Sequence, residues 1–105
     1  MGMYRQGDVL IVPIDDLPGG LVPGPRDGGR LVLARGEATG HAHVITGPDV
    51  ALYAAPDDID RLFVEIVTRA RVVHEEHGAI TIPSGRYRIV RQREYAPGNY
   101  RYVAD

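Results

Sequence analysis

A chain of 105 residues, 44% hydrophobic and 25% charged, has the size and composition of one globular domain. Its formal net charge of -2 excludes a strong overall attraction to nucleic acid or to an anionic membrane. No apolar run reaches the ~20 residues of a membrane-spanning helix, and Met1 to Gln6 lacks the apolar core of a signal peptide, which together point to a cytoplasmic protein. Cysteine is absent and every basic residue is an arginine, so disulfides, thiolate ligands and lysine-based covalent chemistry are excluded as well.

Thirteen glycines and eight prolines punctuate short β-prone runs. The first run, Asp8 to Ile14, is almost continuously apolar and predicts a strand buried on both faces. Leu17 to Gly29 is rich in Gly and Pro and reads as a loop before a strand at Arg30–Ala34. Gly36 to Gly40 is a turn into a strand at His41–Ile45, and Gly47-Pro48-Asp49 turns the chain into Val50–Ala54. Pro56 to Arg61 is the best place for a single helical turn, with aspartates to cap it. Leu62–Val67 and Ala70–His74 predict two strands, and Gly78–Ile82 a short one that stops at Pro83-Ser84-Gly85. Arg86–Glu94 and Tyr100–Val103 close the series, separated by a turn at Ala96–Asn99. The expectation is a single all-β domain over residues 1–105, a small open β-barrel or β-sandwich of about eight short strands.

All four histidines fall into two tight pairs, His41-Ala42-His43 and His74-Glu75-Glu76-His77. Imidazole is the commonest side-chain metal ligand, and metal sites gather ligands at short local spacings. On a strand, residues i and i+2 share a face, so His41 and His43 would stand side by side. His74 and His77 are three apart, which needs a turn that leaves the strand at His74 and closes before Gly78. Four imidazoles suit tetrahedral zinc, and three with Glu75, Glu76 or Glu37 suit iron or manganese with open positions. A histidine or a glutamate left uncoordinated would be the general base, with Glu75 and Glu76 the candidates named for it. Thr39, two residues before His41, suits an ordinary turn hydrogen bond first, and orientation of an imidazole or a ligand second.

Arg86 to Tyr95 interleaves four arginines with two tyrosines, and Tyr100, Arg101 and Tyr102 follow. Cations among aromatics hold phosphates and stack bases, so Arg88, Arg91, Arg93 and Tyr95 are candidates for binding RNA, DNA or a small anion. Strand alternation puts Arg86 and Arg88 on one face and Arg91 and Arg93 on the other, which breaks the basic stripe.

QGDVL near the start, GEATGHAH, HEEHGAI and PSGRYRIVRQREY together resemble a small uncharacterised family of bacterial proteins over nearly the whole chain, a likeness that implies no activity. A second resemblance is to cupins. Gly36 with His41-Ala42-His43 is similar to their first motif, and Gly78 to Gly85 to the glycine and Pro-x-Gly part of their second. Thr46-Gly47-Pro48 stands where the first motif carries a glutamate, and Arg88 where the second carries a histidine. The likeness therefore implies a β-scaffold with internal ligands, and a ligand set of its own. The leading expectation is a metal-binding protein with a divalent transition metal at His41, His43, His74 and His77. Metal-dependent hydrolysis or oxygenation of a small molecule would be its chemistry. The alternative is a nucleic-acid-binding or complex-forming module built on the arginine-rich strands, and exposed strand edges would allow a homo-oligomer.

Overall fold

The computed structural model describes residues 2–35, 40–96 and 99–102, with backbone alone from residue 93 onward. The described residues form eleven strands and no helix: β1 (Tyr4–Gln6), β2 (Val9–Ile14), β3 (Val22–Pro23), β4 (Arg26–Asp27), β5 (Arg30–Arg35), β6 (Ala42–Thr46), β7 (Val50–Ala55), β8 (Asp58–Val73), β9 (Ile80–Arg91), β10 (Arg93–Ala96) and β11 (Asn99–Tyr102). The first nine make one antiparallel sheet in the order β1-β2-β9-β8-β6-β5-β4, with β7 also on β8 and β3 on β7. β10 and β11 pair only with each other. The fold is therefore all-β, as expected, but the sheet is open and not closed into a barrel. The turn at Gly36–Thr39, including Glu37, lies outside the described residues. None of the described residues forms a helix long and apolar enough to cross a membrane.

The chain begins with a tight hairpin. Gln6 pairs with Val9 across the two residues Gly7 and Asp8, and Gly7 has φ +60°. A positive φ at the first central position is the II′ arrangement, which suits the twist of the flanking strands and favours glycine. Asp8 to Ile14 is buried mainly on one side. Val9 and Ile11 are fully buried, whereas Leu10 and Val12 on the opposite face are half-buried.

Two long strands carry the fold. The break expected between Val67 and Ala70 does not end a strand, and neither does Pro83-Ser84-Gly85. β8 runs through 16 residues and β9 through 12. The register between them shifts between Ile66 and Arg69, opposite Pro83 and Gly85, so the pair bends together at one place. Pro83 lacks an N–H and is accommodated where the ladder is irregular. The helical turn expected at Pro56–Arg61 is instead a reverse turn into β8. There the Asp58 carboxylate accepts the Asp60 N–H (3.0 Å) and so caps a turn in place of a helix.

The bend divides β8. Its first half pairs with β7 and its second half with β6, on the same side. Gly47 lies where the chain passes from β6 to β7. A Cβ there would sit 2.7 Å from the Arg69 carbonyl oxygen and 2.6 Å from Val50 Cγ2. Gly47→Ala is therefore expected to lower stability by about 2 kcal/mol, because backbone must move to admit the methyl group. The urea unfolding midpoint checks this, and a wild-type midpoint would show that the corner yields. Val9, Ile11, Leu52, Val64, Ile66, Val72, Ile82 and Tyr87 form the centre of the core. The Tyr87 ring meets Tyr4 edge-on at 6.3 Å, and its hydroxyl donates to the Pro83 carbonyl at 2.8 Å. Burial raises the Tyr87 pKa.

Candidate metal centre

Strand register brings the histidine pairs together. β6 pairs with β8 with Val44 opposite Val73. Continued past the end of β8, that register sets His43 opposite His74, Ala42 opposite Glu75 and His41 opposite Glu76. Contacts agree at each step. The His43 and His74 rings lie 4.3 Å apart, the Ala42 N–H donates to Glu75 Oε1 at 3.0 Å, and His41 Nδ1 is 3.4 Å from Glu76 Oε1. His74 to Ala79 is the connection of the β8–β9 hairpin, so the second pair leaves the strand at His74 as its spacing requires. The turn brings His77 back to 4.7 Å from His74 and 5.8 Å from His43, and His41 lies 5.6 Å from His74. All four predicted imidazoles thus meet in one cluster. One nitrogen each from His41 and His74, with a Glu75 oxygen, lie within 4.8 Å of one another.

His43 is the anchored member, 4% exposed. Its Nδ1 is 2.9 Å from Gln6 Oε1, and Gln6 Nε2 donates to the Val72 carbonyl (3.0 Å) and the Gly78 carbonyl (2.9 Å). Two carbonyls engage both amide hydrogens, so the amide orientation follows from the network and Oε1 must accept. His43 therefore carries its proton on Nδ1 and presents the Nε2 lone pair. A ligating histidine is oriented in this way when its other nitrogen donates to an oxygen. Nε2 lies 3.7 Å from Asp8 Oδ1, while Asp8 Oδ2 accepts from Arg91 Nε (3.1 Å) and its terminal nitrogen (3.0 Å). Gln6, Asp8 and His43 are the buried polar residues among the described ones, and all belong to this network.

Burial, followed by the nearby His74, pushes the His43 pKa down from 6.5 to about 4, against the pull of Asp8. Burial and then His77 lower that of His74 as well. Both rings are neutral at pH 7 and offer lone pairs in place of charge. The Ala42 N–H holds the Glu75 carboxyl below its ordinary value, which makes it a ready anion and a weak proton acceptor. His74 Nδ1 accepts the Glu76 N–H at 3.0 Å, so the His74 proton is on Nε2. Ligation by a neutral His74 would release that amide through either nitrogen, because Nδ1 would give its lone pair to the metal or take up the proton that Nε2 sheds.

Sequence reasoning singled out the histidines and glutamates but not Gln6 or Asp8. Their one signal was two polar residues flanking a glycine just ahead of an apolar strand. The arginines of β9 divide as alternation requires: Arg88 is exposed, whereas Arg91 turns inward onto Asp8. Arg88 and Arg91 therefore do not share a basic face. The side chains of Arg93 and Tyr95, like Thr39, lie outside the described residues. Comparison with known families matches residues 5–92 to the model of a domain of unknown function, DUF8820. The chain belongs to the DUF8820 family. The matched span contains both histidine pairs, Gln6, Asp8 and Arg91 of this DUF8820 domain. No curated protein and no solved structure matches it.

Proposed function

We propose that the protein binds a divalent transition metal (zinc, iron or manganese) at the histidine cluster, with His41, His74 and Glu75 as the nearest set of ligands and His43 and His77 completing it. The observation that carries this reading is the convergence of four imidazoles and a carboxylate from two segments whose register fixes them side by side. Donors bound to one metal at about 2.1 Å stand roughly 3.4 Å apart, so ligand atoms now within 4.8 Å need to close by about an ångström. The solvent-facing turn at Glu75 and Glu76 can make that movement, whereas the buried His43 cannot. Imidazole-rich donors favour transition metals over calcium or magnesium. With fewer than all the side chains bound, water or a small-molecule substrate takes the open position, and metal-assisted hydrolysis or oxygenation is the reaction class.

Elemental analysis of protein purified without added metal should find close to one equivalent. A metal at a hundred times its dissociation constant should add about 2.7 kcal/mol of stability, read as a rise in melting temperature. His41→Ala and His74→Ala should each remove that rise, and the Glu76 amide resonance should move on loading as its bond to His74 gives way. Less than about a tenth of an equivalent, with no stabilisation by zinc, iron or manganese, would overturn the reading.

A further inference from the structure

The β6–β8–β9 ladder carries a cationic depression on the face turned away from the histidines. Burial alternates along these strands. Ile45, Ala70, Val72 and Ile82 turn into the core, and Thr46, Arg69, Arg71 and Thr81 are exposed. His43 shares the inward face of β6 with Ile45, so the histidine cluster lies on the other side of the sheet. Register sets Arg71 opposite Thr46 of β6 and opposite Thr81 of β9. Arg71 therefore stands between two threonines in one cross-strand row, within reach of both. Arg69 is two residues back on the same face, about 7 Å away by strand rise. These four side chains line a shallow depression of about 150 Å³, closed at one end by the Gly47-Pro48 corner.

Charge is unbalanced here. Apart from the two arginines, every residue lining the depression is neutral. Arg30, Arg35, Arg86 and Arg91 each hold a carboxylate, whereas among the described residues Arg69 and Arg71 form no ion pair. Glu65 lies beyond the bend of β8 and is held by Arg86 at 3.1 Å. Asp49, just past Pro48, pairs with neither arginine. β6 and the Ile80–Ser84 half of β9 contain no acidic residue. Two like charges side by side on one strand face repel each other, and a bound anion relieves that repulsion. An anion that engages two guanidiniums and two hydroxyls at once needs more than the two oxygens of a carboxylate, and a phosphate group has them. The volume is below the ~300–1,000 Å³ of sites that enclose a whole small molecule, and it suits one tetrahedral group with the rest of the ligand outside.

We infer that this depression binds the phosphate group of a small phosphomonoester, with Arg69 and Arg71 on its oxygens and the Thr46 and Thr81 hydroxyls donating beside them. Two fixed positive charges match a monoester, which carries close to two negative charges at neutral pH, better than a diester, which carries one. Binding requires none of the histidines and no metal.

The probes are glycerol 3-phosphate and inorganic phosphate, titrated at low salt into chelator-treated protein and followed by amide chemical shifts. Acetate and a single-stranded DNA 12-mer are the comparisons. Both phosphates should saturate one site with a dissociation constant on the order of 1 mM. The shifts should centre on Thr46, Gly47 and Arg69 to Arg71, with Thr81 across the ladder. Arg71→Gln should weaken both phosphates about tenfold and Arg69→Gln about fivefold. Thr81→Val, which keeps the β-branched shape and removes the hydroxyl, should weaken them about threefold. Arg61→Gln, at an exposed arginine elsewhere on β8, should change nothing. These positions are exposed, so the variants should keep the dispersed amide spectrum of the folded protein. Failure to saturate, shifts centred elsewhere, or equal effects of Arg71→Gln and Arg61→Gln would overturn the site. Acetate binding as tightly as phosphate would overturn the phosphate class. DNA binding more tightly than glycerol 3-phosphate through the same residues would overturn the monoester and give the site to a nucleic-acid backbone. Phosphate binding by a chain that takes up no metal would leave this site standing and refute only the metal reading.

Discussion

Gln6→Leu is expected to destabilise the protein by about 3–5 kcal/mol, the largest effect of any single substitution outside the apolar core. Leucine matches glutamine in size but makes none of its hydrogen bonds. It would leave the Val72 and Gly78 carbonyls without their donor and the His43 Nδ1–H without its acceptor. Stranding a buried polar partner costs roughly 1–3 kcal/mol each, and partial access of water to Gly78 sets the total below the simple sum. A second effect follows at the cluster. With Gln6 gone nothing holds the His43 tautomer, and metal affinity should fall about 10- to 100-fold. Urea unfolding and metal titration of Gln6→Leu, with Gln6→Glu beside it, separate the two. Glutamate keeps the acceptor for His43 and loses both donors, so it should lose stability while retaining more affinity than leucine does. A Gln6→Leu midpoint equal to wild type would refute the network.

The second large effect is on pH. The His43 pKa stands at about 4 in the folded protein against 6.5 when unfolded. Between those values the unfolded chain holds a proton that the folded protein does not, so stability falls as the pH drops from 6.5 towards 4 and is level above that window. A shift of this size corresponds to about 3 kcal/mol, and the lowered pKa of His74 acts in the same direction. Glu75 and Asp27, whose pKa values are also lowered, change stability in the same direction: they favour the folded state above their unfolded values and lose that contribution only at more acid pH. Urea midpoints from pH 7.5 to 4.5 should therefore decline for wild type and decline much less for His43→Asn. An equal decline in both would assign the slope to other groups.

Much of the site was legible because it obeys local spacing. HxH on a strand and HEEH in a turn are short-range statements, and the antiparallel neighbour β8 delivered the second pair to the first. The bends were misread for the opposite reason. Pro83-Ser84-Gly85 has turn chemistry, yet the chain stays extended because β8 is irregular at the facing position and the two strands bend as one. Local turn propensity lost to the facing strand, Arg69 against Pro83 and Ile66 against Gly85, which no short window along the chain reveals. Gln6 was invisible for a related reason. Its importance lies entirely in contacts 37, 66 and 72 residues away.

β1, which carries Gln6, is a three-residue strand at the edge of the sheet, paired on one side only. Short edge strands open far more often than the core they border. Peeling back this strand alone would withdraw the amide from Val72, Gly78 and His43 together while the two long strands stayed folded. The rigidity of the histidine cluster is thus governed by the fraying of its most weakly held neighbour, and amide exchange at Gln6 is a direct clock for how often the cluster is unlatched.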